Sequence, residues 1–140
     1  MLKINIILNN RNWKSYIKNP SNYFQKRIFK FNKKFKKYQK NNIFFTLLLS
    51  NDTQIKKLNK KFRKKNKSTD VLSFPFYEKN KLKRIIKKEK EVYLGDIIIN
   101  YSKLKKNSKK KQFVQHLDKL WVHALLHLFG YRHRKNLDFK

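Results

Sequence analysis

The 140-residue chain has no cysteine, two glycines, two prolines and only eight acidic residues. Without cysteine there are no disulfides, no thiolate catalysis and no sulfur-ligated zinc or iron–sulfur site, so any metal must be held by histidine and carboxylate side chains. The longest apolar stretch, Ile43 to Leu49, is far shorter than the roughly 20 residues of a membrane-spanning helix. The N-terminal segment has no small-residue cleavage site of the kind that follows a signal peptide, and we therefore expect a cytoplasmic protein.

Positively charged residues are the most prominent feature of the composition. Thirty-eight Lys and Arg residues against eight acidic ones give a formal net charge of +30. This surplus favours RNA or another anionic partner, although an AT-rich genome would also enrich lysine through its codons. Hydrophobic residues make up 39% of the chain and aromatics 15%, which is too much for a disordered basic tail. We expect residues 1–140 to form one folded domain.

Hydrophobic periodicity predicts alternating strands and helices. Strands are predicted at Lys3–Leu8, Ile43–Leu49, Val71–Phe76 and Val92–Asn100. Helices are predicted from Asn22 to about Tyr38 and from about Gln112 to Phe129. Between them, Asn51 and Asp52 can cap another helix, which gives way to the polar stretch Lys64–Ser68. Lys79–Glu91 is predicted to be a charged connection, and Ser102–Lys111 a polar, lysine-rich stretch. The order of these strands and helices along the chain favours an α+β fold with a mixed sheet of about four strands covered by helices.

The last predicted helix carries the most informative side chains. His123 and His127 are four residues apart, so they lie on one helical face about 6 Å apart along the axis. Gly130 is placed to end the helix in a left-handed conformation, after which the chain can turn back and bring His133 to the same place. Three neutral imidazoles and a water leave an open coordination position, which is the arrangement of a catalytic rather than a structural metal site. We therefore expect a metal site at the C-terminal end of this helix, with ordinary packing or capping histidines as the alternative.

Neighbouring residues narrow this hypothesis. His116 lies on the same face, but about 10.5 Å along the axis from His123, which is too far to join the site; we expect it to be solvated or to face RNA. The spacing HxxxHxxGxxH also occurs in metzincin proteases. In those enzymes a glutamate follows the first histidine and acts as general base, whereas Ala124 occupies that position here. A protease is therefore disfavoured.

Three segments resemble the YbeY family of bacterial rRNA-maturation endoribonucleases. Val122 to His133, VHALLHLFGYRH, is similar to its hallmark H-G-x-L-H-L-x-G-Y-D-H. Leu58 to Phe76 resembles its LN…R…TDVLSFPF block, and Leu94 to Ile97 its GDI strand, in the family's order. Ala124 stands where the hallmark has glycine, and Arg132 stands where it has aspartate.

The resemblance implies a single Zn²⁺ per chain, held by His123, His127 and His133, and it assigns Arg63 to the arginine that the family needs for activity. It further implies a metal-dependent endoribonuclease that cleaves single-stranded RNA. The expected substrate is the 16S rRNA precursor on the small ribosomal subunit, in 3′-end maturation and ribosome quality control. Neither DNA nor a membrane is expected as a partner.

A non-catalytic, ribosome-associated RNA-binding protein with a structural or vestigial histidine site is the alternative. It is favoured by Arg132 and by the lysines of the first helix and of Ser102–Lys111. Trp13 and Tyr16 would then be candidates for stacking on bases, although core packing is the more frequent role of such residues. Binding of the first helix to an anionic membrane surface is a weaker hypothesis.

Two aspartates complete the set of candidates. Asp96 follows Gly95 on a predicted strand, where it is expected either to orient a ligand histidine or to form a salt bridge at the strand end. Asp70 follows Thr69 and is expected to stabilise a turn or to cap the backbone rather than to take part in chemistry.

Overall fold

The computed structural model describes residues 1–36, 38–106 and 109–131. The strands are β1 (Leu2–Leu8), β2 (Asn42–Ser50), β3 (Val71–Pro75) and β4 (Glu91–Asn100). The helices are α1 (Pro20–Lys34), α2 (Asp52–Arg63), α3 (Lys79–Lys88), α4 (Tyr101–Leu104) and α5 (Lys110–Leu128). A short 3-10 helix, Arg11–Ser15, lies between β1 and α1.

The four strands form one mixed sheet in the order β1-β2-β4-β3. β2 is parallel to both β1 and β4, whereas β3 runs antiparallel to β4. β3 is an edge strand and ends at Pro75, a residue that cannot donate a ladder hydrogen bond and is tolerated at an edge. The predicted α+β fold with a mixed four-stranded sheet is confirmed.

The main hydrophobic core lies between the sheet and α1 and α5. The side chains of β2 alternate, so that Ile43, Phe45, Leu47 and Leu49 are completely buried on this face. Helix α5 buries an apolar stripe against the sheet; it comprises Phe113, Leu117, Trp121, Ala124, Leu125 and Leu128. A smaller cluster under α2 covers part of the opposite face. Because α5 buries this stripe, its histidines are left at the margin of the core.

Helix α3 was not expected, since Lys79–Glu91 was predicted to be a connection. The segment buries Leu82, and the half-buried Ile85 and Ile86 pack on the main core. These positions are three and four residues apart, which places them on one helical face. Glu78 caps the helix by accepting a hydrogen bond from the Lys81 backbone N–H at 2.8 Å. The surrounding lysines obscured this narrow apolar stripe in the sequence.

Other boundaries differ at the ends of elements. α1 ends at Lys34 rather than near Tyr38, because Phe35 adopts an extended conformation (φ −110°, ψ 101°). The stretch predicted as polar and lysine-rich from Ser102 to Lys111 instead begins within α4 and ends within α5.

The aromatic residues proposed for base stacking belong to the core. Trp13 is completely buried and its indole N–H donates to the Ser50 carbonyl at 3.1 Å. Tyr16 stacks on Phe113 with ring centroids 4.0 Å apart. Core packing, the more frequent role of such residues, is thus what the structure shows for Trp13 and for the partly buried Tyr16. None of the helices formed by the described residues is both long and apolar enough to cross a bilayer.

Candidate active site

A groove of about 510 Å³ separates α5 from the edge strand β3 and the end of α2. This volume falls within the range of sites that hold small ligands, roughly 300–1,000 Å³. Its polar and charged lining residues are Arg63, Asp70, Ser73, His116, Lys119, His123 and His127. The groove therefore collects residues from α2, β3 and α5, which are distant in sequence.

His123 and His127 face this groove together. They lie one helical turn apart, with ring centroids separated by 5.8 Å and ring planes inclined by 33°. Both are partly exposed, whereas Ala124 between them is 3% exposed and lets α5 lie close to the sheet. The predicted placement of two histidines on one accessible face is confirmed.

The third predicted ligand, His133, lies outside the described residues. Within the described ranges, no group of three His, Asp or Glu side chains is close enough to hold a metal ion. The structure thus brings together two imidazoles of the predicted set. Imidazole is the preferred nitrogen ligand of zinc, and the pair fits that role as part of a larger ligand set.

Gly130 ends α5 as the sequence predicts. Its φ is +97°, a left-handed conformation that glycine adopts without steric cost. The Gly130 N–H donates to the His127 carbonyl at 2.9 Å, and the Tyr131 N–H donates to the Leu126 carbonyl at 3.0 Å. These two bonds form a Schellman motif. The motif turns the chain away from the helix axis immediately after His127.

Gly95 allows the elements beneath the histidines to approach one another. A Cβ atom at this position would lie 2.2 Å from the Phe74 carbonyl oxygen and 3.1 Å from a methyl group of Leu128. The φ of Gly95, +140°, also lies in a region of backbone conformation that residues with a Cβ atom rarely adopt. Glycine is therefore required where β3, β4 and the end of α5 meet.

Arg63 forms the opposite wall of the groove. It is the last residue of α2, which ends because Lys64 takes up a left-handed conformation (φ 56°). The Arg63 guanidinium donates to the Ser73 carbonyl at 3.1 Å and lies 5.7 Å from the centre of the Phe74 ring. A guanidinium has five N–H donors in a planar fork, so this anchoring leaves it able to bind a phosphate.

Asp70 and His116 meet across the same groove. The Asp70 Oδ2 atom is 3.9 Å from His116 Nε2, and the two residues form an ion pair when the imidazole is protonated. The expectation that His116 is solvated or faces RNA did not include this contact, and the expectation that Asp70 stabilises a turn or caps the backbone did not include its carboxylate in the groove. Asp70 belongs to the TDVLSFPF segment, but no local pattern identifies its partner.

A hydrogen-bonded network holds the backbone next to Asp70. The Asn100 side chain donates to Asp52 at 2.9 Å and to the Thr69 carbonyl at 3.1 Å, and its backbone N–H donates to the Asp70 carbonyl at 2.9 Å. Ser68 donates to the same Asp52 carboxylate. The bonds from Ser68 and Asn100 lower the pKa of Asp52, because they stabilise its ionised form. Asp70 thus projects from a segment anchored on both sides.

Asp96 lies on the other face of the sheet. It accepts a hydrogen bond from the Tyr93 hydroxyl and lines a separate groove with Leu48 and Phe62 beneath α2. Burial and the bond to Asp96 raise the pKa of Tyr93. The expected role in orienting a ligand histidine is therefore wrong, because α5 covers the opposite face.

The groove continues along β3 beyond the histidines. A second depression shares Arg63, Ser73 and His127 with the first and extends to Lys79 and Tyr77. Cationic side chains thus occur at both ends and in the middle of an open channel, with one carboxylate in each of the two depressions. Such a distribution suits an extended polyanion.

The comparisons with known proteins point to one family. The family model described as Endoribonuclease YbeY matches residues 7–140. A Pelagibacter ubique protein named Endoribonuclease YbeY is 43% identical over 142 residues, which cover 100% of this chain and 88% of that protein. A protein of the same name from Sinorhizobium fredii is 50% identical over 42 residues, which cover 29% of this chain and 24% of that protein.

A solved structure supports the fold. The solution structure of a Thermotoga maritima protein superimposes with a TM-score of 0.51 at 23% sequence identity, covering 96% of this chain and 75% of that one. The family match over nearly the whole chain agrees with the site, where two histidines one turn apart face an arginine across a basic groove. The chain belongs to the YbeY endoribonuclease family.

Proposed function

We propose that this protein is a metal-dependent, single-strand-specific endoribonuclease of the cytoplasm that acts on the 16S rRNA precursor. Its role would be 3′-end maturation and quality control of the small ribosomal subunit, as the family resemblance implies. The observation that carries the catalytic part is the pair His123 and His127, 5.8 Å apart and facing the same groove as Arg63.

Zinc is the proposed metal, one ion per chain. His123 and His127 would supply two imidazole nitrogens and His133 the third, since the chain has no cysteine to compete as a ligand. When bound, the metal supplies a water of lowered pKa and polarises a phosphoryl oxygen. Each ligand histidine must be neutral to bind, so acid should release the metal.

Arg63 is the proposed phosphate-binding residue. Its anchoring to the Ser73 carbonyl and over the Phe74 ring holds the guanidinium at the groove wall opposite the helix. A guanidinium can bind two phosphate oxygens at once and stabilise the charge that develops in the transition state. Its position at the end of α2, against β3, would place it beside a phosphate bound in the groove.

The substitution His127→Ala tests the proposal. We expect the purified variant to lose its zinc and to cleave single-stranded RNA at least about 100-fold more slowly, because a catalytic metal site fails without one of its ligands. Metal analysis and a cleavage assay on the same preparation measure both effects. Gln115→Ala, an exposed position on the same helix, is the control and should match the wild type.

Two results would contradict the proposal. Undiminished nuclease activity in a metal-free double variant, His123→Ala with His127→Ala, would show that these histidines are not the metal ligands of the reaction. Salt-dependent RNA binding without any cleavage, even with zinc added, would instead identify a non-catalytic RNA-binding protein.

A further inference from the structure

Cleavage of RNA in this groove requires a proton donor as well as a nucleophile. When water forms a bond to phosphorus and the bond to the departing sugar oxygen breaks, that oxygen leaves as a strongly basic alkoxide unless a positioned acid protonates it. The family assignment and the metal hypothesis do not identify this acid. The inference below rests on the proposed function.

The described residues of the groove offer few candidates. Arg63 and Lys119 line it, but guanidinium and ammonium groups hold their protons near neutral pH, and a carboxylate is ordinarily ionised there. His123 and His127 would use their lone pairs to hold the metal. Of the titratable side chains that line this groove in the described part of the chain, His116 remains; imidazole is the group that both holds and releases a proton near neutral pH.

The position of His116 suits this role. It lies on the same face of α5 as His123 and lines the same groove, about 10.5 Å further towards the N-terminus of the helix. That separation is too long for His116 to share a metal ion with His123. It leaves room for a phosphodiester group between the imidazole and the histidine pair.

Asp70 holds His116 from the opposite wall. Its carboxylate oxygen lies 3.9 Å from Nε2 of the imidazole, and its backbone is anchored by Asn100. A carboxylate beside a histidine orients the ring and stabilises the imidazolium form, as in other acid–base pairs. At 3.9 Å the contact is within the range of an ion pair and longer than a hydrogen bond.

We propose that His116 is the general acid of the reaction and that Asp70 is its positioning residue. Water attacks phosphorus and gives up a proton to the solvent as the new P–O bond forms. The bond from phosphorus to the departing sugar oxygen breaks, and its electron pair stays on that oxygen, which takes the proton of the His116 imidazolium. The products are one fragment ending in a phosphate monoester and one ending in a hydroxyl; solvent then reprotonates the imidazole.

The charged surroundings of His116 define the pH experiment. The titratable and charged groups that line the groove with it are Asp70 just before β3, Arg63 of α2, and Lys119, His123 and His127 of its own helix. Because the acid must carry a proton, cleavage of RNA by the wild type should fall with rising pH. The His116→Ala variant should lack this limb of the pH profile.

Two substrates separate acid catalysis from every other role. We expect zinc-loaded His116→Ala to cleave single-stranded RNA about 100-fold or more slowly than the wild type. The same variant should hydrolyse bis(p-nitrophenyl) phosphate at a rate within about twofold of the wild-type rate, because a nitrophenolate leaves without a proton. Asp70→Asn should show a smaller loss, of about tenfold, on RNA alone. Zinc content and RNA affinity should match the wild type, with Gln115→Ala as the control.

The outcomes are distinct. Equal losses on both substrates, or loss of zinc, would make His116 a structural or metal-supporting residue, and an unchanged rate on RNA would exclude it as the acid; either result overturns the inference while the proposed function stands. A wild-type protein that binds zinc and RNA but cleaves neither substrate would overturn the proposed function and the inference together.

Discussion

Gly95 and Gly130 occupy the two places at which a side chain would disturb the candidate active site. At Gly95 an added Cβ would meet a backbone oxygen, that of Phe74, at 2.2 Å. At Gly130 it would meet side-chain atoms of Lys79 at 2.7 and 2.8 Å. The atoms near Gly130 belong to the stem of Lys79, whose Cα lies 3.2 Å away at the start of α3, whereas the Phe74 carbonyl lies closer and is fixed in the sheet by the β3–β4 ladder. The two glycines therefore differ in how firmly their surroundings exclude a side chain.

Substitution of each glycine by alanine tests this difference. We expect Gly95→Ala to lower the free energy of unfolding by about 3 kcal/mol or more, from backbone strain together with the overlap. Gly130→Ala should cost about 1–2 kcal/mol, mainly from strain at positive φ. Urea unfolding followed by circular dichroism measures both. Equal costs at the two sites would show that the sheet yields as readily as the start of α3.

Helix α5 carries most of the candidate site, and α1 holds it in place through Asp118. The Asp118 carboxylate accepts hydrogen bonds from the Tyr23 hydroxyl at 2.7 Å, from Arg27 at 3.1 and 3.2 Å, and from the Trp121 indole at 2.9 Å. The Arg27 guanidinium also stacks over the Tyr23 ring at 3.6 Å. Burial and the bond to Asp118 raise the pKa of Tyr23. This cluster sets the position of α5 one turn before His123.

Removal of the shared acceptor should be more damaging than removal of one donor. We expect Asp118→Ala to lower the free energy of unfolding by about 2–3 kcal/mol, because three partly buried donors lose a charged acceptor. Tyr23→Phe should cost about 1 kcal/mol. Thermal or urea unfolding gives both values, with the exposed Glu91→Ala as control. If Asp118→Ala costs no more than Tyr23→Phe, the cluster does not hold the two helices together.

The net charge of +30 acts at the scale of the whole molecule. It attracts any polyanion, so charge alone does not locate an RNA site. The structure narrows the location, because Arg63, Lys119 and Lys79 line a channel that passes the histidine pair. Lysines elsewhere on the surface contribute to long-range attraction and are screened by salt.

Salt dependence distinguishes these two kinds of lysine. RNA affinity should fall steeply with salt, and each phosphate contact on a single strand contributes about 0.7 to the slope of log K against log salt. Lys119→Ala, in the groove, should reduce the slope by about 0.7. Lys14→Ala, which removes an exposed lysine of the 3-10 helix, should leave it unchanged. Fluorescence anisotropy with a labelled single strand measures the slopes, and equal slopes for the two variants would place the RNA outside this groove.

Local patterns in the sequence determined the elements and the histidine pair. Alternating and helical periodicities located all four strands and the three main helices, since these patterns depend on a few neighbouring residues. The four-residue spacing of His123 and His127 put both on one face of α5, and Gly130 ended that helix, because both features depend only on helix geometry. The YbeY-like segments identified the family in the same local way.

Tertiary structure decided which distant residues meet. The register of the sheet places Asp96 on the face beneath α2, whereas Asp70 lies at the groove. A shift of one residue in the strand register would turn the Asp96 side chain to the other face of the sheet. The crossing of α5 over β3 then brought His116 to Asp70 and the histidine pair to Arg63. Burial of Trp13, and of Leu82 in a lysine-rich helix, likewise depended on the core that surrounds them. These contacts join residues far apart in the chain, and their positions follow from packing rather than from any pattern along the sequence.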